Sequence, residues 1–370
     1  MLNVVKNQKK NKKVAVAMSG GVDSSVAAAL LKEQGYSLTG IFMHFWAEES
    51  EIEKGRHRAE NKCCSLEAQE DARRVAEKLG FPFYTLNFAR QFKKEVVDYF
   101  LKEYWQGRTP NPCVVCNKKI KFELLLKSAL GLEIDYLATG HYVRVKKTKG
   151  KKYQLLTAKD KEKDQSYFLY NLNQKQLRYL LFPLGDYTKK QVRKLAEQFD
   201  LPVAKKRESQ EICFVSGQDH NQFLKRHLKL KKGPIVTSQG KVLGQHEGLP
   251  LYTIGQRKDI GVGGLGPFYV IKTDAKKNAL IVTDNPEDPL LFKKTLLAEN
   301  VNWLSGQEPT LPLKIEAKIR YRHSANKAVI KEKIKNNWLV EFKEAQRAVT
   351  PGQSVVFYKG QQILGGGVIA

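Results

Sequence analysis

A glycine-containing turn between a buried strand and a helix is the part of this sequence best suited to chemistry. Residues 14–18 form an apolar run that predicts a short buried strand, and residues 19–24 (SGGVDS) follow it at once. Residues 25–31 then predict the start of a helix, with Ser24 or Ser25 as its N-cap. Glycines let the backbone approach an anion, and the N–H groups and dipole of a helix N-terminus attract it. The sequence therefore predicts a phosphate-binding turn.

This turn differs from a P-loop, because that motif ends in Gly-Lys-Ser/Thr and its lysine reaches the terminal phosphates. No lysine lies between Lys13 and Lys32 in this chain. The SGGxDS pattern instead resembles the PP-loop of ATP pyrophosphatases. That resemblance implies that ATP is split between its α and β phosphates, so that the adenylyl group activates a carbonyl or amide oxygen. A strand-to-helix turn without a ligand is the alternative.

The five cysteines are the second set of residues that could do chemistry. They are Cys63, Cys64, Cys113, Cys116 and Cys213. We interpret them as groups for thiol chemistry, metal ligands or buried apolar residues rather than as a disulfide framework. Cys113 and Cys116 form a C-x-x-C pair, which suits a redox pair or half of a zinc or iron–sulfur site. Cys63 and Cys64 are adjacent and match the usual ligand spacing poorly, so we predict no metal site.

Net charge and hydropathy limit the classes to which the chain can belong. Its 370 residues suggest two or three domains, and 42% hydrophobic residues suffice for proper cores. No apolar run approaches the ~18 residues of a membrane helix, and the basic N-terminus lacks the apolar stretch of a secretory signal. We therefore expect a cytoplasmic protein. Lys and Arg number 64 against 38 acids, and the net charge of +26 favours a polyanionic partner without separating tRNA from DNA or a membrane surface.

Strands and helices alternate over the first half of the sequence, which predicts an α/β fold with a Rossmann-like, doubly wound parallel sheet. The predicted strands are residues 37–45, 83–87 and 136–140, and the predicted helices are residues 66–79, 90–105, 122–130 and 173–199, the last interrupted at 182–185. Residues 48–64 form an irregular charged loop in this interpretation, and residues 146–163 form a lysine-rich hairpin or loop. Ligands bind such sheets at the carboxyl ends of strands, where the SGGVDS turn and the ATGH turn at residues 138–141 both fall.

The second half of the sequence changes character at about residue 233, where glycines, prolines and β-branched residues begin to dominate. Short alternating strands are predicted at residues 313–321, 326–334, 338–342 and 354–357. This pattern predicts a small mixed or β central domain and a C-terminal β-barrel. The expected domains are residues 12–215, 216–288 and 289–370.

Seven separated stretches resemble the tRNA-specific 2-thiouridylases, PP-loop enzymes that thiolate the wobble uridine of certain tRNAs. They are AMSGGVDSSVAA, GRTPNPCVVCNKKIKF, ATGHYVR, KDQSYFLY, SQEICF, YTIGQRKDIGVGG and AVTPGQSVVFY, and they run from Ala17 to Tyr358. The resemblance implies a sulfurtransferase that uses ATP with Mg²⁺, thiolates C2 of the uridine through a cysteine persulfide, and releases AMP and pyrophosphate. It implies that the first domain binds ATP and that the others assist tRNA binding. It also implies a cysteine desulfurase or sulfur-relay protein as partner, with no DNA or membrane involved.

By this resemblance Cys213 carries the persulfide and Cys116 is the partner nucleophile. Replacing a carbonyl oxygen by sulfur requires a good leaving group, which adenylation provides. It also requires that the persulfide bond be broken, and a second thiolate can do so while leaving a cysteine–cysteine disulfide. Whether Cys116 attacks the persulfide or releases sulfide stays open, and so does the alternative that Cys213 is a buried strand cysteine.

The residues expected to bind the nucleotide are those around the turn and two further positions. They are Ala17, Met18, Ser19, Gly20, Gly21, Val22, Asp23, Ser24, Met43 and Gly140. Asp23 is expected to orient the turn or the magnesium bound to pyrophosphate, or to favour the helix N-terminus. The resemblance implies that Met43 lies against adenine, although a strand methionine is also an ordinary core residue.

The residues expected to bind tRNA come from five segments. They are Asn111, Pro112, Cys113, His141, Lys163, Asp164, Gln165, Arg320, Tyr321 and Gln353. The first three are expected at the flipped uridine. Some family members have Asp at the position of Cys113, so a universal carboxylate role there is in doubt. His141 suits either a substrate contact or a structural role. Arg320 and Tyr321 combine a phosphate-pairing group with a stacking group, unless they form a solvated strand face.

Two other functions are compatible with parts of this pattern. A different PP-loop activity, such as lysidine formation or tRNA 4-thiouridine synthesis, would use the same turn, but lysidine formation needs no thiol and leaves Cys116 and Cys213 unexplained. A tRNA-binding protein with a degenerate ATP site would explain the charge, but the intact turn at residues 19–24 argues against it.

Overall fold

The N-terminal sheet has five strands in the order β3-β2-β1-β4-β7, and every pair is parallel. The computed structural model describes residues 12–47, 65–207, 212–215, 220–262 and 266–370. The strands are β1 Lys13–Met18, β2 Ser37–His44, β3 Phe83–Asn87, β4 Tyr136–Ala138 and β7 Leu180–Leu181. Because strand order reverses at β1, the crevice between the carboxyl ends of β1 and β4 is where this fold binds ligands. The predicted parallel sheet is confirmed.

Helices connect these strands. They are α1 Val22–Glu33, α2 Leu66–Leu79, α3 Ala89–Phe92, α4 Asp98–Trp105, α5 Pro112–Val115, α6 Leu126–Gly131, α7 Gln174–Leu177 and α8 Lys189–Gln198. A π-helical segment, Lys93–Val97, joins α3 to α4, and a second, Cys116–Leu125, joins α5 to α6. The irregular loop predicted at residues 48–64, with Cys63 and Cys64, lies outside the described residues.

Two local predictions in this half of the chain are wrong. Helix α1 begins at Val22 with Gly21 as its N-cap, so Ser24 and Ser25 lie inside the first turn. Their hydroxyls donate back to the Gly21 carbonyl at 3.1 and 2.9 Å, which is the local bonding that serines make within a helix. The predicted helix 173–199 is two short helices separated by strand β7, since a short apolar run suits a buried strand as well as a helix.

The lysine-rich segment after β4 begins as a hairpin that leaves the N-terminal sheet. Strands β5 Val143–Lys147 and β6 Tyr153–Thr157 pair with each other, and β6 pairs with β17 near the C-terminus. The hairpin therefore extends the C-terminal sheet, although it comes from the first half of the sequence. Its pairing fixes the chain just after the ATGH turn against the barrel.

A smaller mixed sheet lies between the two larger units. Its strands are β8 Gly233–Thr237, β9 Val242–His246, β10 Tyr269–Asp274 and β11 Ala279–Thr283, in the order β10-β11-β8-β9, and helix α9 His220–His227 precedes them. The core of this unit is continuous with that of the N-terminal domain: Phe223 and Phe214 lie with ring centroids 5.6 Å apart. The central sheet is therefore packed on the N-terminal domain rather than separated from it.

The last six strands form a barrel that is closed by pairing of β12 with β17. They are β12 Phe292–Trp303, β13 Leu313–Lys318, β14 Asn326–Ile334, β15 Asn337–Arg347, β16 Ser354–Lys359 and β17 Gln362–Ile369. Alternate residues point inwards, and Trp303, Trp338 and Phe357 fill the interior, with ring centroids 5.2 and 5.5 Å from Trp303. The predicted C-terminal β-barrel is confirmed. Among the described residues, no helix is both long and apolar enough to cross a bilayer.

Candidate active site

The SGGVDS turn leaves the end of β1 and becomes the first turn of α1. Gly20 has φ +69°, a conformation that favours glycine, and a Cβ there would collide with the Ala68 carbonyl of α2. The Ser24 hydroxyl accepts from Ser19 N at 3.2 Å and donates to the Gly21 carbonyl, so it ties the two ends of the turn together. The turn is a rigid bend that ends in the open N–H groups of a helix.

Gly140 brings the second predicted turn against the first. A Cβ at Gly140 would lie 2.7 Å from Ser24 N and 2.8 Å from the Asp23 carbonyl carbon, so the ATGH backbone packs directly on the start of α1. The two turns therefore meet at the carboxyl ends of the neighbouring strands β1 and β4, as the sequence predicted. Two glycine backbones beside a helix N-terminus form a cradle that fits a phosphate group.

Several predicted nucleotide-binding side chains are part of the core. Ala17, Met18 and Val22 are 8%, 1% and 5% exposed, so a nucleotide contact there would come from the backbone. The Met18 sulfur packs against Gly40 of β2, where a Cβ would lie 2.9 Å from it. Met43 is also buried, at the carboxyl end of β2, which agrees with the core alternative and leaves its contact to adenine a prediction.

Asp23 has two strong partners that come from distant parts of the sequence. Its Oδ1 accepts from the Tyr142 hydroxyl at 2.7 Å, and Lys189 Nζ lies 2.7 and 2.9 Å from the two carboxylate oxygens. Lys189 is the first residue of α8, which follows the N-cap Thr188. The turn that lacks a lysine in its own sequence thus receives one from α8. Sequence analysis missed both partners; Tyr142 does lie next to His141 in the ATGHYVR stretch.

His141 is buried beneath the two turns. Its Nδ1 lies 2.7 Å from the Thr139 hydroxyl, and its ring packs against Phe122 and Phe182. Burial, aided by the positive charge of Lys121, places the pKa of His141 well below its ordinary value of 6.5. The imidazole is therefore neutral at physiological pH and can form a hydrogen bond but cannot neutralise a phosphate.

The C-x-x-C pair lies where a short helix becomes π-helical. The Asn111 side chain caps α5 by accepting from Val114 N at 3.3 Å, and Pro112 occupies the first helical position. Cys113 is exposed on α5, whereas Cys116 is buried at the start of the π-helical segment. π-helical turns within α-helices are often found at functional sites.

The Cys213 segment packs against the same helix as the Cys116 segment. It begins a 3-10 turn, Cys213–Val215, so the alternative of a strand cysteine is wrong. The next residue, Phe214, packs with its ring centroid 5.9 Å from Phe92 and 5.2 Å from Phe100. We call residues 89–105, which contain both of these rings, the support helix.

The support helix also contacts the Cys116 segment and the edge of the sheet. Its π-helical part packs against α5 and against Cys116–Leu125. Phe45, just past the end of β2, stacks on Phe92 with centroids 4.6 Å apart. Both cysteine segments therefore lie on one helix that is joined to the carboxyl edge of the sheet, where the nucleotide cradle is.

All three structural units hold the segment that leads to Asn111. Gln353 of the barrel donates to the Thr109 and Pro110 carbonyls at 2.8 and 3.3 Å. The Thr109 hydroxyl lies 3.1 Å from that of Thr253 in the central unit. Arg108 bonds to Glu103 of α4 and to Glu299 of the barrel. Gln353 is thus placed beside the predicted uridine-binding residues and fixes their backbone.

Comparison with curated proteins decides the family. A tRNA-specific 2-thiouridylase MnmA from Carboxydothermus hydrogenoformans is 50% identical over 361 residues, which cover 97% of this chain and 97% of the relative. Proteins of the same name from Clostridioides difficile and Clostridium kluyveri are 46% and 48% identical; each alignment covers 97% of this chain, and 98% and 99% of the relative. This chain belongs to the tRNA-specific 2-thiouridylase family. The resemblance seen in the sequence is confirmed.

Domain models match this 2-thiouridylase in three consecutive parts. A tRNA methyl transferase HUP domain covers residues 12–217, a tRNA methyl transferase PRC-barrel domain covers residues 221–284, and an aminomethyltransferase beta-barrel domain covers residues 293–369. Among solved structures, the U34-tRNA thiolase NcsA from Methanococcus maripaludis matches at 20% identity and a TM-score of 0.35, over 58% of this chain and 68% of that chain. Similarity at this level does not show that the two proteins share a function.

The predicted tRNA-contacting turn of this 2-thiouridylase is built around a buried carboxylate. Asp164 is 6% exposed, and it accepts from Ala158 N at 2.9 Å and from the Ser166 hydroxyl at 2.7 Å. Its side chain is committed to the fold of the turn, contrary to the expectation that it contacts tRNA directly. Lys163 and Gln165 are half-buried at the surface, and their contacts with tRNA stay predictions.

Arg320 and Tyr321 lie in a turn after β13 rather than on a strand face. The Arg320 guanidinium donates to the Ala348 carbonyl, and burial lowers its pKa from the ordinary value. The Tyr321 ring lies 4.4 Å from Phe168, in the stretch that follows the tRNA-contacting turn. Tyr321 therefore connects the barrel to the stretch after that turn, whereas the Arg320 guanidinium bonds within the barrel.

The described residues hold no group of three or more His, Cys, Asp or Glu that could bind a metal ion. Cys63 and Cys64, which would be needed to complete a site with Cys113 and Cys116, lie outside those residues. The cysteine arrangement that the structure does describe is two thiols on one support, of which Cys116 is buried and Cys213 half-buried. This arrangement suits thiol exchange between two cysteines.

Proposed function

We propose that this chain is an ATP-dependent sulfurtransferase that thiolates C2 of the wobble uridine in tRNA. The observation that carries the proposal is the support helix, which holds the segments of Cys116 and Cys213 at the edge of the sheet where the SGGVDS turn lies. This arrangement supports the proposal that oxygen activation and sulfur delivery take place at the same edge of the sheet. Family membership supplies the reaction to which this arrangement belongs.

The first step uses the nucleotide cradle. The uracil O2 attacks the α-phosphorus of ATP, and pyrophosphate leaves with the electron pair of the broken P–O bond. The backbone at residues 19–24 and Gly140 would hold the phosphates. Asp23 would hold Mg²⁺, because Mg²⁺ typically uses one or two carboxylates with substrate phosphates, and the ion would supply positive charge for the pyrophosphate that leaves. The resulting adenylyl ester makes O2 a good leaving group.

The second step transfers sulfur from Cys213. The terminal sulfur of its persulfide bonds to C2, and the C2–O2 bond breaks to release AMP. The Cys116 thiolate then attacks Cys213 Sγ, so a Cys116–Cys213 disulfide forms and the electron pair of the old S–S bond stays on the transferred sulfur. In the alternative order, Cys116 releases sulfide from the persulfide before attack on C2. A cysteine desulfurase or relay protein supplies the sulfur, and an external thiol reduces the disulfide.

The tRNA is held by a wider surface than the reacting base. The base is expected to enter at Asn111, Pro112 and Cys113, and Gln353 of the barrel bonds to the two residues just before them, Thr109 and Pro110. Phosphates of the anticodon stem are expected at lysines of the catalytic domain (residues 12–215), the central domain (residues 216–288) and the barrel (residues 289–370), because the net charge of +26 favours counterion release. The unstacked loop base can be splayed into the site at low cost. A cytoplasmic location, where tRNA is available as substrate, is part of this proposal.

Substitution of Asp23 tests the first step. Asp23→Ala removes the carboxylate at the turn, so we expect tRNA-dependent pyrophosphate release to fall by roughly 10²-fold or more, comparable to loss of one stabilising group in a transition state. Binding of tRNA, measured by filter retention, is expected to persist. Asp284→Asn, at an exposed position of the central unit, is the control and should keep wild-type pyrophosphate release. Unchanged pyrophosphate release in Asp23→Ala would refute the role of the turn.

A further inference from the structure

The orientation of the Asp23 carboxylate is set from outside the SGGVDS turn. Tyr142 is 2% exposed and the Lys189 side chain is 14% exposed, whereas that of Asp23 is 33% exposed. Charge-assisted hydrogen bonds are stronger in such partly buried surroundings than in water. Tyr142 and Lys189 therefore hold a carboxylate that itself faces the cradle.

We call residues 160–165, which include the predicted tRNA contacts Lys163, Asp164 and Gln165, the tRNA-contacting turn. Tyr142 and Lys189 are both bonded to it. Tyr142 N donates to Gln165 Oε1, and Gln165 N donates to the Tyr142 carbonyl, each at 2.9 Å. Lys189 N donates to Asp160 Oδ2 at 2.8 Å. Each residue that holds the carboxylate is thus also joined to this turn through its own backbone.

The tRNA-contacting turn carries the charges to which phosphate would respond. Lys161 is exposed and Lys163 is half-buried, and Lys163 N donates to Asp160 Oδ1 at 3.2 Å. Asp160 therefore connects the backbone of Lys163 to that of Lys189. Phosphate groups of tRNA that bind these lysines act on the turn that positions both Asp160 and Gln165.

We propose that Tyr142 and Lys189 are positioning residues through which tRNA bound at residues 160–165 controls Asp23 and, with it, ATP cleavage. The inference rests on the proposed function. Without tRNA, Lys189 Nζ occupies the Asp23 carboxylate. Binding of tRNA shifts Asp160 and Gln165, which loosens this pair and makes the carboxylate available to magnesium and pyrophosphate. ATP is then cleaved only when a uridine is present.

Thermodynamic coupling of this kind is reciprocal, so it can be measured without any chemistry. The affinity of wild-type protein for tRNA is measured by filter binding with and without α,β-methylene-ATP and Mg²⁺, in the absence of a sulfur donor. We expect the analogue to raise wild-type affinity by about 5-fold or more. Tyr142→Phe, which removes only the hydroxyl, and Lys189→Gln should each bring this factor close to 1. Lys190→Gln, at the exposed neighbouring position, should keep the wild-type factor.

Two results would overturn the proposal: no coupling in the wild-type protein, or wild-type coupling in both Tyr142→Phe and Lys189→Gln. Thermal melting and tRNA affinity without the analogue establish that each variant is folded. Failure of the wild-type protein to bind tRNA at all would instead overturn the proposed function. The two failures are distinguishable because the coupling assay does not require sulfur transfer.

Discussion

His141 shows how the surroundings of one residue decide its chemistry. Its ring is buried between Phe122 and Phe182, and its Nδ1 is fixed by the Thr139 hydroxyl. Burial and the nearby Lys121 charge lower its pKa, so the folded protein resists protonation at this position. The imidazole can give or accept a hydrogen bond, but its lowered pKa keeps it uncharged at physiological pH.

This lowered pKa predicts a loss of stability in acid. An unfolded chain protonates His141 near its ordinary pKa of 6.5, whereas the folded chain does not, so the free energy of unfolding falls as the pH drops below that value. The loss from this residue approaches about 1.4 kcal/mol per pH unit. We expect urea unfolding of His141→Gln to be less dependent on pH between about pH 7 and pH 5 than that of the wild-type protein.

The exposed His323 offers a matched control for this pH dependence. Its pKa is also lowered by desolvation, but its side chain is more exposed, so His323→Gln should change the pH dependence less. An equal pH dependence of unfolding in wild-type protein and His141→Gln would contradict the assignment of a neutral buried imidazole.

At this scale, the sequence predicts those site residues that are contiguous. Residues 19–24 could be assigned because strand, turn and helix follow one another within a few positions. Lys189 could not, since its only local signal is the first position of a helix, and its approach to Asp23 depends on how α8 packs beside α1. Asp164 was predicted at the surface because polarity alone does not reveal that a carboxylate is used to fold a turn.

Close approach of two elements shapes the nucleotide cradle. The backbone at Gly140 packs against the first turn of α1, and a Cβ there would meet Ser24 N at 2.7 Å. Neither element can yield without disturbing a hydrogen bond of the helix or the pairing of β4 with β1. The absence of a side chain at this point is therefore a requirement of the site.

Gly140→Ala tests this requirement. We expect a loss of about 1–3 kcal/mol of folding free energy from overpacking, together with weaker binding of an ATP analogue. Gly131→Ala is the control, because a Cβ at that position in α6 meets nothing within 4 Å, and it should leave both properties near wild type. Equal melting temperatures and nucleotide affinities for the two variants would contradict the close-packing argument.

Elements with strong local signals are predicted well, and elements that depend on packing are not. Helix α2 occupies residues 66–79 as predicted, because its apolar face is periodic and Gly80 ends it in a left-handed conformation. The π-helical segment that begins at Cys116 has no such signal. Strand β7 forms because two leucines complete the sheet beside β4, which no local pattern indicates.

At the level of the whole molecule, the main feature is the contact between the barrel and the N-terminal domain. Arg108, which precedes the predicted uridine-binding residues, bonds to Glu103 of its own unit and to Glu299 of the barrel. The side chains of Arg108 and Glu299 are 24% and 30% exposed, so the ion pair is largely shielded from solvent. Such pairs are costly to break, because one charge is left without its partner.

Glu299→Gln tests this interface by removing the charge while keeping the shape. We expect a loss of about 1–3 kcal/mol in urea unfolding, and slower thiolation because the segment before Asn111 is held less firmly. Glu308→Gln is the control: its pair with Lys333 is 57% and 36% exposed, so the loss should not exceed about 1 kcal/mol. A larger loss in the control than in Glu299→Gln would contradict the importance of the interface.

Contacts between segments that lie far apart in the sequence are the part of the fold that sequence patterns do not predict. The hairpin β5–β6 could be predicted as a hairpin, but its addition to the barrel sheet depends on pairing with β17, about two hundred residues further along the chain. The position of Gln353 is likewise not predictable from sequence patterns, because its hydrogen bond to the Thr109 carbonyl joins the barrel to the N-terminal domain. Long-range strand pairing leaves no periodic trace in either segment.

ATP-dependent thiolation of uridine C2 is tested most directly by mass spectrometry of tRNA nucleosides. The tRNA is first incubated with this protein, ATP, Mg²⁺, a cysteine desulfurase and cysteine. We expect 2-thiouridine to form only when ATP is present. The Cys213→Ser variant should form none, although it should still bind tRNA. Cys63→Ser, which has no assigned role, should retain the product. A 4-thiouridine product would contradict thiolation at C2, and normal 2-thiouridine formation by Cys213→Ser would contradict the persulfide role of Cys213.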